Sequence, residues 1–259
     1  MLAVEGASQS LPREDDRLAA LGFDGDHILP VSGALIISPV PPRPFVYSPP
    51  EEGPLPVLFS DDHILVLDKP SGLLTVPGNR PERADCLEKR ARVTFPTARI
   101  IHRLDMDTSG VIVLGLTLEA QARVSRQFER RETRKSYIAL VWGQVSGTEG
   151  RVDQPLMTDW PNRPKQHIDP VHGRQAITDW TVLEAGARST RVRLTPLTGR
   201  SHQLRVHMAY LGHPILGDNL YAPEAALAAS DRLCLHAHSL EFAHPVTHEQ
   251  MCFESPVPF

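Results

Sequence analysis

The sequence has few cysteines and no long apolar run. Its three cysteines, Cys86, Cys234 and Cys252, lie far apart and form no Cys-x-x-Cys pair, so we expect reduced thiols rather than a disulfide framework. No apolar run approaches the roughly 18 residues that a membrane-spanning helix needs. The first ten residues contain Glu5 and no basic segment, which does not resemble a secretory signal. We therefore expect a cytoplasmic protein without a membrane segment.

The net charge of −4 conceals an uneven distribution of charge. Residues 1–62 contain 3 Lys/Arg and 10 Asp/Glu, whereas residues 80–135 contain 13 Lys/Arg and 8 Asp/Glu. Because local charge attracts phosphate, the overall acidity does not exclude a nucleic acid partner. On charge alone, a solvated surface would be the better interpretation of the basic segment.

The chain divides into an N-terminal extension and one folded domain. Residues 1–52 begin acidic and polar, and seven prolines lie between Pro39 and Pro54, which favours extended, partly disordered chain. An apolar stretch at residues 34–37 predicts an edge strand. In residues 53–259, short apolar strands alternate with a few helical patterns. This mixture predicts an α+β domain with a mainly antiparallel mixed sheet and flanking helices.

Periodicity and capping residues predict the main elements. One helix is expected over residues 86–95, before Pro96, and another over residues 117–131, with Thr117 as its N-cap. The inner side of this second helix is expected to contain Leu118, Ala122 and Phe128. Four arginines at helical spacing lie on another side of the same helix. A third helix is predicted over residues 201–211. The predicted strands are 57–59, 64–67, 111–116, 137–143, 176–183, 191–197, 233–240 and 251–253, and the predicted stripe is Arg123, Arg126, Arg130 and Arg134.

One segment concentrates reactive side chains. His102, Arg103 and Asp105 precede a turn, residues 107–110, and the turn leads into the buried strand. Charged groups rarely adjoin a core strand unless they are paired or used. An Asx turn explains residues 107–110, but it leaves the three side chains ahead of the turn unexplained.

The same segment imitates three other kinds of site. A calcium loop would need Glu at its twelfth position, where Leu116 stands. A phosphotransferase would need magnesium and further acidic partners that cannot be located. An aspartic-type hydrolase using Asp107 would need a second carboxylate to share a proton, and therefore a symmetric dimer.

A zinc site elsewhere in the chain, at Cys234 and His238, would need further ligands from other segments. We predict no metal site.

Four motifs together resemble the RluA family of RNA pseudouridine synthases. They are Asp68-Lys69-Pro70-Ser71-Gly72-Leu73, His102-Arg103-Leu104-Asp105-x-x-Thr108-Ser109-Gly110, Lys135-x-Tyr137-x-Ala139 and Gly199-Arg200-Ser201-His202-Gln203-Leu204-Arg205-x-His207. The similarity runs from about Val57 to the end of the chain. The segments 159–166 and 212–218 are similar to the subgroup of the family that modifies both ribosomal RNA and tRNA. Residues 1–45 are outside the resemblance, and no S4-type RNA-binding domain is recognisable.

The resemblance implies a reaction and a set of site residues. Uridine is isomerised to pseudouridine without a metal or other cofactor. Asp105 is expected to be the catalytic carboxylate, Arg205 the cation that pairs with it, and Tyr137 the ring that stacks on the target base. Arg103 is expected to fill the space that the flipped base leaves. His102, Leu204 and Arg200 are the other expected substrate-binding residues.

The implied substrates are a large-subunit ribosomal RNA loop and a tRNA anticodon stem-loop, and we expect a monomer. Two alternatives stay open on the sequence. One is the aspartic-type hydrolase, which predicts that Asp107 is essential. The other is a non-catalytic RNA-binding module, which predicts salt-dependent RNA binding without isomerisation.

Overall fold

The computed structural model describes residues 46–259, so the edge strand predicted at residues 34–37 lies outside the described residues. Within this range, no helix is long and apolar enough to cross a membrane. Two short 3-10 helices occur at Pro81–Arg83 and Trp160–Asn162. The α-helices are α1 (Leu87–Thr94), α2 (Leu118–Arg130), α3 (Gln203–Tyr210) and α4 (Glu224–Leu227). The strands are β1 (Val57–Ser60), β2 (Ile64–Lys69), β3 (Arg99–Ile100), β4 (Ser109–Gly115), β5 (Arg134–Trp142), β6 (Glu149–Asp153), β7 (Leu156–Thr158), β8 (Gln166–Ile168), β9 (Ile177–Ala185), β10 (Ser189–Pro196), β11 (Leu235–Ala243) and β12 (Gln250–Glu254).

One mixed sheet contains ten of the described strands. Its order is β1-β2-β4-β11-β5-β10-β9-β6, with β12 beside β11 and β3 beside β4. The strands β4 and β11 run parallel, and the other pairs in this sheet are antiparallel. The strands β7 and β8 form a separate antiparallel hairpin. The predicted α+β class with a mainly antiparallel mixed sheet is confirmed.

The parallel contact between β4 and β11 depends on Gly110. This residue has φ +112°, and a Cβ atom there would lie 2.2 Å from the carbonyl oxygen of Ala237. Only glycine permits that approach. The start of β4 is thereby fixed against the middle of the sheet. This position also fixes the end of residues 102–110, which we call the motif segment.

Alternating side chains on β2 fill two separate cores. Leu65 and Leu67 pack on the side of α1, and Ile64 and Val66 pack on the side of α2, as the two-residue period of a strand requires. A third cluster surrounds β5, β10 and α3. Tyr137 packs against this third cluster and against the cluster on the α1 side, so it lies where two cores meet.

The first two predicted helices form close to their expected positions. The Sγ atom of Cys86 accepts a hydrogen bond from the amide of Lys89 at the start of α1. The hydroxyl of Thr117 accepts from the amide of Ala120 at the start of α2. These bonds satisfy amides that have no partner inside the helix. The short strands β3, β6, β7 and β8 were not expected.

The predicted inner side of α2 is wrong for two of its three residues. Leu118 is 66% exposed and Ala122 is exposed, whereas Ala120 and Val124 are buried. Phe128 is partly buried and packs against the same core. Two glutamines also face the sheet and make hydrogen bonds to its backbone. Gln121 donates to the carbonyl of Ile100, and Gln127 donates to the carbonyl of Ala243 and accepts from the amide of the same residue. Polar side chains therefore occupy part of the buried face.

The residues just before β1 contact α1. The hydroxyl of Tyr47 donates to the carbonyl of Asp85 at 2.8 Å and accepts from the amide of Leu74 at 3.1 Å. Arg90 donates to the carbonyls of residues 50 and 51. The end of the predicted extension thus makes hydrogen bonds with the folded domain, while the boundary between residues 52 and 53 stays a prediction.

Candidate active site

Lys69, the last residue of β2, makes hydrogen bonds to the backbone of the motif segment between β3 and β4. Its Nζ atom donates to the carbonyl oxygens of Met106, Thr108 and Pro70, at 2.8, 2.8 and 2.9 Å. The side chain is completely buried. Burial lowers the pKa of Lys69 to about 7, and the nearby carboxylates of Asp107 and Asp105 oppose that shift. All three ammonium hydrogens are directed to carbonyls, which stabilises the turn.

Two hydroxyl groups from the segment that follows β2 make further bonds to the motif segment. The Oγ atom of Ser71 donates to the carbonyl of Asp107 at 2.7 Å. The Oγ1 atom of Thr75 donates to the carbonyl of Leu104 at 2.7 Å and accepts from the amide of the same residue at 3.3 Å. Backbone groups on both sides of Asp105 are therefore fixed by residues 69–75.

Arg205 on α3 lies between two carboxylates. Its Nε and Nη2 atoms donate to the two oxygens of Asp218, at 2.8 and 2.6 Å. Its Nη1 atom lies 3.7 Å from Oδ2 of Asp105, and Nη2 also donates to Asn219. A guanidinium suits this arrangement because its donors form a rigid fork. The arginine is thus aimed at Asp105 by a bidentate contact on its other side.

Burial and pairing set the electrostatics of this group. Arg205 is 3% exposed and Asp218 is completely buried. Burial alone would lower the pKa of Arg205, but the carboxylates of Asp218 and Asp105 raise it. For Asp218, burial alone would raise the pKa, but the charge and hydrogen bonds of Arg205 lower it, and the net pKa is decreased. Both groups are therefore charged at neutral pH, and Asp105, with its side chain 27% exposed, is the member of the group that solvent and substrate can reach.

Asp107 has a different environment from Asp105. Burial raises its pKa, although the charges of Arg205 and Lys69 oppose the increase. The side-chain amide of Asn219 donates to its Oδ2 atom at 3.3 Å. Its backbone carbonyl is the one that accepts from Ser71. Asp107 therefore contributes to the turn beside Asp105.

Tyr137 and Leu204 line the same cavity as Asp105. Tyr137 comes from β5, and burial followed by the charge of Asp105 raises the pKa of its phenol. The ring is neutral at physiological pH. Leu204 is 7% exposed and belongs to the core around α3. The structure thus brings a phenol ring and a leucine side chain to the carboxylate from two different elements.

Arginines surround the cavity. Arg103 is exposed beside Asp105, and Arg131, at the end of α2, is also exposed. Arg200 precedes α3, and its Nε atom donates to the carbonyl of Gln175 at 3.0 Å. Arg163 lies 4.7 Å over the Trp160 ring. Within residues 46–259, none of these four arginines has an ion pair with a carboxylate, so their charges are available to an anionic partner.

The predicted arginine stripe is only partly at the cavity. Arg134 lines it and lies 3.7 Å from Glu241. Arg123 instead pairs with Glu119 and donates to the carbonyl of Pro245. The stripe therefore splits, because Arg134 begins β5 rather than continuing α2.

His102 makes an internal contact. Its Nε2 atom accepts from the amide of Val113 at 3.2 Å, and its ring stacks on Phe128 with centroids 4.4 Å apart. Burial, and secondly the charge of Lys135, lowers the pKa of His102 to about 3. The imidazole is therefore neutral, and one of its two nitrogens already binds the backbone of β4.

The cavity that unites these residues has a volume of about 1550 Å³. Its lining includes all seven residues predicted for the site: Arg103, His102, Asp105, Tyr137, Arg200, Leu204 and Arg205. Thr158, Arg163 and Gln166 from the β7–β8 hairpin line its opposite part. The volume exceeds that of a typical small-molecule pocket, which suits a nucleotide together with part of the chain that bears it.

Two residues that shape the site were missed in the sequence. Lys69 and Asp218 both occur in motifs that the sequence analysis noted, but neither received a role. A lysine at the end of an apolar strand, and an aspartate after an arginine-containing helix, are the signals that could have identified them, since buried charges need partners.

At the predicted zinc alternative, His236 and His238 hydrogen-bond the carbonyl of Ser255. In the described residues, no group of three or more potential ligands could bind a metal ion.

A reachable carboxylate opposite a buried arginine, in a large cavity ringed by arginines, suits an enzyme that acts on an anionic polymer such as a nucleic acid. Comparison with known proteins is specific. Residues 63–210 match the family model described as RNA pseudouridylate synthase. The chain is 52% identical, over 82% of its length and 98% of the relative, to the dual-specificity RNA pseudouridine synthase RluA of Escherichia coli K12. The corresponding protein of Pasteurella multocida is 49% identical over the same shares.

Solved structures agree with the sequence matches. The human protein RNA Pseudouridylate Synthase Domain Containing 1 superposes with a TM-score of 0.67 at 31% identity, covering 81% of this chain and 87% of that chain. Human RNA Pseudouridylate Synthase Domain Containing 4 gives 0.63 at 26% identity, covering 78% and 88%. The chain belongs to the RNA pseudouridylate synthase family. It is an RNA pseudouridine synthase, an isomerase.

Proposed function

We propose that this enzyme converts uridine to pseudouridine in two structured RNAs, a large-subunit ribosomal RNA loop and a tRNA anticodon stem-loop, with Asp105 as its catalytic carboxylate. The observation that supports the role of Asp105 most strongly is its contact with Arg205. Asp105 is a partly exposed carboxylate of the cavity, and the buried guanidinium, fixed on Asp218, lies 3.7 Å away. A cation at that distance attracts the carboxylate and favours a fixed position for it in the cavity.

The isomerisation balances without any added reagent. The bond from N1 of uracil to C1′ of ribose breaks, the base turns, and a bond from C5 to C1′ forms. C5 loses its hydrogen as a proton, and N1 gains a proton. No electron is gained or lost, so the chemistry asked of the protein is a fixed carboxylate, a bound base and protection from water.

Three other residues have proposed roles around the flipped nucleotide. Tyr137 stacks on the target base, Leu204 packs against it, and Arg103 occupies the space that the base leaves in the RNA stack. Turning a base out of a helix costs a few kcal/mol, and a planar guanidinium can stack in its place. The position of Arg103, exposed and two residues from Asp105, supports this assignment.

The dual substrate range is supported by the relatives. Those of Escherichia coli and Pasteurella multocida are both named dual-specificity enzymes, and the segments at 159–166 and 212–218 resemble that subgroup. Arg163 and Gln166 of the first segment line the cavity, which would bring subgroup residues to the RNA. His102 and Arg200 complete the proposed contact surface.

We also propose that the enzyme acts in the cytoplasm as a monomer. Asp105, Tyr137, Arg205 and Asp218 all come from one chain, so a second copy is not needed to complete the site. Cys86, Cys234 and Cys252 are free thiols, as expected in a reducing compartment. Sedimentation of the purified protein at assay concentration would give the mass of one chain.

The direct test is turnover of RNA stem-loops by the full chain and two matched variants. Asp105→Asn preserves size and removes the charge, so pseudouridine formation on both RNAs should fall below detection. Asp107→Asn, two residues away, should reduce turnover far less than Asp105→Asn, since the Asp107 side chain accepts one hydrogen bond, from Asn219, and does not line the cavity. Loss of pseudouridine formation only in the Asp107 variant would assign the catalytic role to Asp107 instead. The hydrolase alternative predicts a different result, namely peptide cleavage that requires Asp107 and no pseudouridine from the wild-type chain.

The remaining alternative, RNA binding without catalysis, is separated in the same assay. It predicts salt-dependent binding of both stem-loops and no pseudouridine with the wild-type chain. Conversion of one RNA but not the other would contradict the dual range and leave the isomerase activity in place.

A further inference from the structure

His202 lies immediately before α3 and has no role in the proposed chemistry so far. It is the N-cap of the helix and has a left-handed backbone, with φ +54°. Its ring lines the cavity that contains Asp105. Its Nδ1 atom lies 2.7 Å from the hydroxyl oxygen of Tyr221, and the two rings meet edge to face.

The hydrogen bonds of Tyr221 define which nitrogen of His202 bears the proton. The amide of Gln166, at the start of β8, donates to the Tyr221 oxygen at 2.8 Å. An amide can only donate, so the phenol oxygen accepts there and keeps its own hydrogen to donate. In the described chain, the one remaining partner of this hydroxyl is Nδ1 of His202. Nδ1 is then the acceptor, and the hydrogen of the neutral imidazole is on Nε2.

Both rings are neutral at physiological pH. Burial lowers the pKa of His202, and the charge of Asp105 opposes the decrease. Burial raises the pKa of Tyr221, against the charge of Arg205. Over residues 46–259, no protein group hydrogen-bonds the Nε2 atom of His202, whereas both ring nitrogens of the neighbouring His207 have protein partners. A donor with a fixed hydrogen is thus presented without a protein acceptor.

We propose that His202 is a further substrate-binding residue, whose Nε2–H donates a hydrogen bond to an oxygen of the target nucleotide, either a uracil carbonyl or the ribose 2′-hydroxyl. This inference rests on the proposed function. The acceptor must come from the nucleotide because the cavity surrounds it and the protein offers none in the described residues. Tyr221 and Gln166 act as positioning residues, since they set the tautomer of the imidazole.

The arrangement also connects the β7–β8 hairpin to the catalytic face. Gln166 belongs to the hairpin, and Tyr221 is packed under Arg205, whose guanidinium lies 5.3 Å over its ring. Displacement of the hairpin would remove the donor to Tyr221, and with it the group that fixes the proton of His202. Correct seating of RNA on the hairpin is thereby coupled to the hydrogen bond at the target nucleotide.

Two substitutions distinguish this role from a structural one. His202→Gln keeps an amide donor near the Nε2 position and loses the contact to Tyr221. His202→Asn keeps a group near Nδ1 and removes the donor from the cavity. Asparagine tolerates a left-handed backbone better than glutamine, so a structural role predicts that Asn is the better replacement.

The proposal predicts the opposite order in kcat/KM for a stem-loop. The Asn variant should lose about tenfold, which corresponds to one hydrogen bond made with the substrate, and the Gln variant should stay within about threefold of wild type. Equal activity of the two variants, or a more active Asn variant, overturns the proposal. Wild-type turnover in the same assay tests the proposed function separately.

The acceptor is identified by changing the RNA. Stem-loops with 2′-deoxyuridine, 2-thiouridine or 4-thiouridine at the target position each remove one candidate oxygen. The penalty of His202→Asn should disappear on one of the three, and a penalty unchanged on all of them overturns the proposal. For the wild-type protein, nitrogen NMR with labelled histidine, assigned by comparison with His202→Gln, should show hydrogen on Nε2. Hydrogen on Nδ1 contradicts the inference. If His202→Gln does not fold, Tyr221→Phe gives the assignment, because it removes the hydroxyl that lies 2.7 Å from Nδ1 of His202.

Discussion

At the scale of single residues, the site is a chain of paired charges that ends at one reachable carboxylate. Asp218 binds Arg205 through two hydrogen bonds, and Arg205 faces Asp105 at 3.7 Å. The sequence supported Asp105, Arg205 and Tyr137 because they stand in recognisable motifs. It did not reveal the partner of Arg205, since a spacing along the chain gives no distance between a helix and the loop after it. The same limit applied to Lys69, whose three acceptors lie in or beside two separate segments.

The buried His102 should make stability depend on pH. Its pKa is about 3 in the folded protein, against the usual 6.5, so the unfolded chain binds more protons between these values. The stabilisation is therefore complete above pH 6.5 and is lost as the pH falls toward 3. At pH 5 the loss relative to pH 7 is at most about 2 kcal/mol.

His102→Gln tests this dependence, because its side-chain oxygen can still accept from the amide of Val113 and does not titrate. Urea unfolding at pH 7 and pH 5 gives the free energy of unfolding of both proteins. The variant should lose up to about 2 kcal/mol less than wild type between the two pH values. An identical loss in both proteins would show that folding does not lower the pKa of His102.

At the scale of elements, the sequence predicted the long, strongly patterned segments well. The helices at residues 87–94 and 203–210 and the buried strand β4 lie where expected. It failed at β3, β6, β7 and β8, which have two to five residues and are defined by their sheet partners rather than by their own pattern. It correctly placed Phe128 on the buried side of α2 but not Leu118 and Ala122, because two glutamines on that side reach backbone groups that an apolar side chain could not satisfy.

The segment 69–75 is expected to control turnover through the geometry of the motif loop. Lys69→Met removes three hydrogen bonds, two of them to carbonyls of the loop that contains Asp105, and should lower kcat about 100-fold, as small misplacements of a catalytic group do. RNA affinity should change little, because Lys69 is completely buried. The measurement is single-turnover pseudouridine formation together with RNA binding.

Lys89→Met is the matched control, since Lys89 is exposed on α1 and outside the lining of the large cavity. It should leave both quantities unchanged. If Lys69→Met does not fold, Ser71→Ala removes only the bond to the carbonyl of Asp107 and should lower kcat with binding intact. Normal kcat in a folded Lys69 variant would refute the proposed control by this segment.

At the scale of the whole molecule, a slightly acidic protein presents a basic surface around one cavity. The net charge is −4, yet Arg103, Arg131, Arg163 and Arg200 line the same opening. The family and the reaction were accessible from sequence because four motifs occur in the right order. The sequence could not reveal that arginines from α2, from the β7–β8 hairpin and from the turn before α3 converge on one cavity. Their convergence depends on the path of the strands through the sheet.

Salt dependence should report these arginines. A protein–RNA contact to one phosphate contributes about 0.7 to 0.9 to the slope of log affinity against log salt concentration. The double variant Arg131→Gln/Arg200→Gln should therefore reduce the magnitude of the slope by about 1.4 to 1.8. Arg151→Gln is the control, because Arg151 pairs with Asp179 on β6 and β9 and is outside the cavity lining. A double variant with the slope of the control would exclude phosphate contacts at both positions.

The central claim is that this chain makes pseudouridine in cellular RNA and that Asp105 performs the reaction. Pseudouridine mapping of ribosomal RNA and tRNA from cells that lack the protein, and from the same cells supplied with wild type or with Asp105→Asn, tests it most directly. We predict that one site in large-subunit ribosomal RNA and one in a tRNA anticodon stem-loop disappear without the protein, return with wild type and stay absent with the variant. Restoration of these sites by Asp105→Asn would contradict the account.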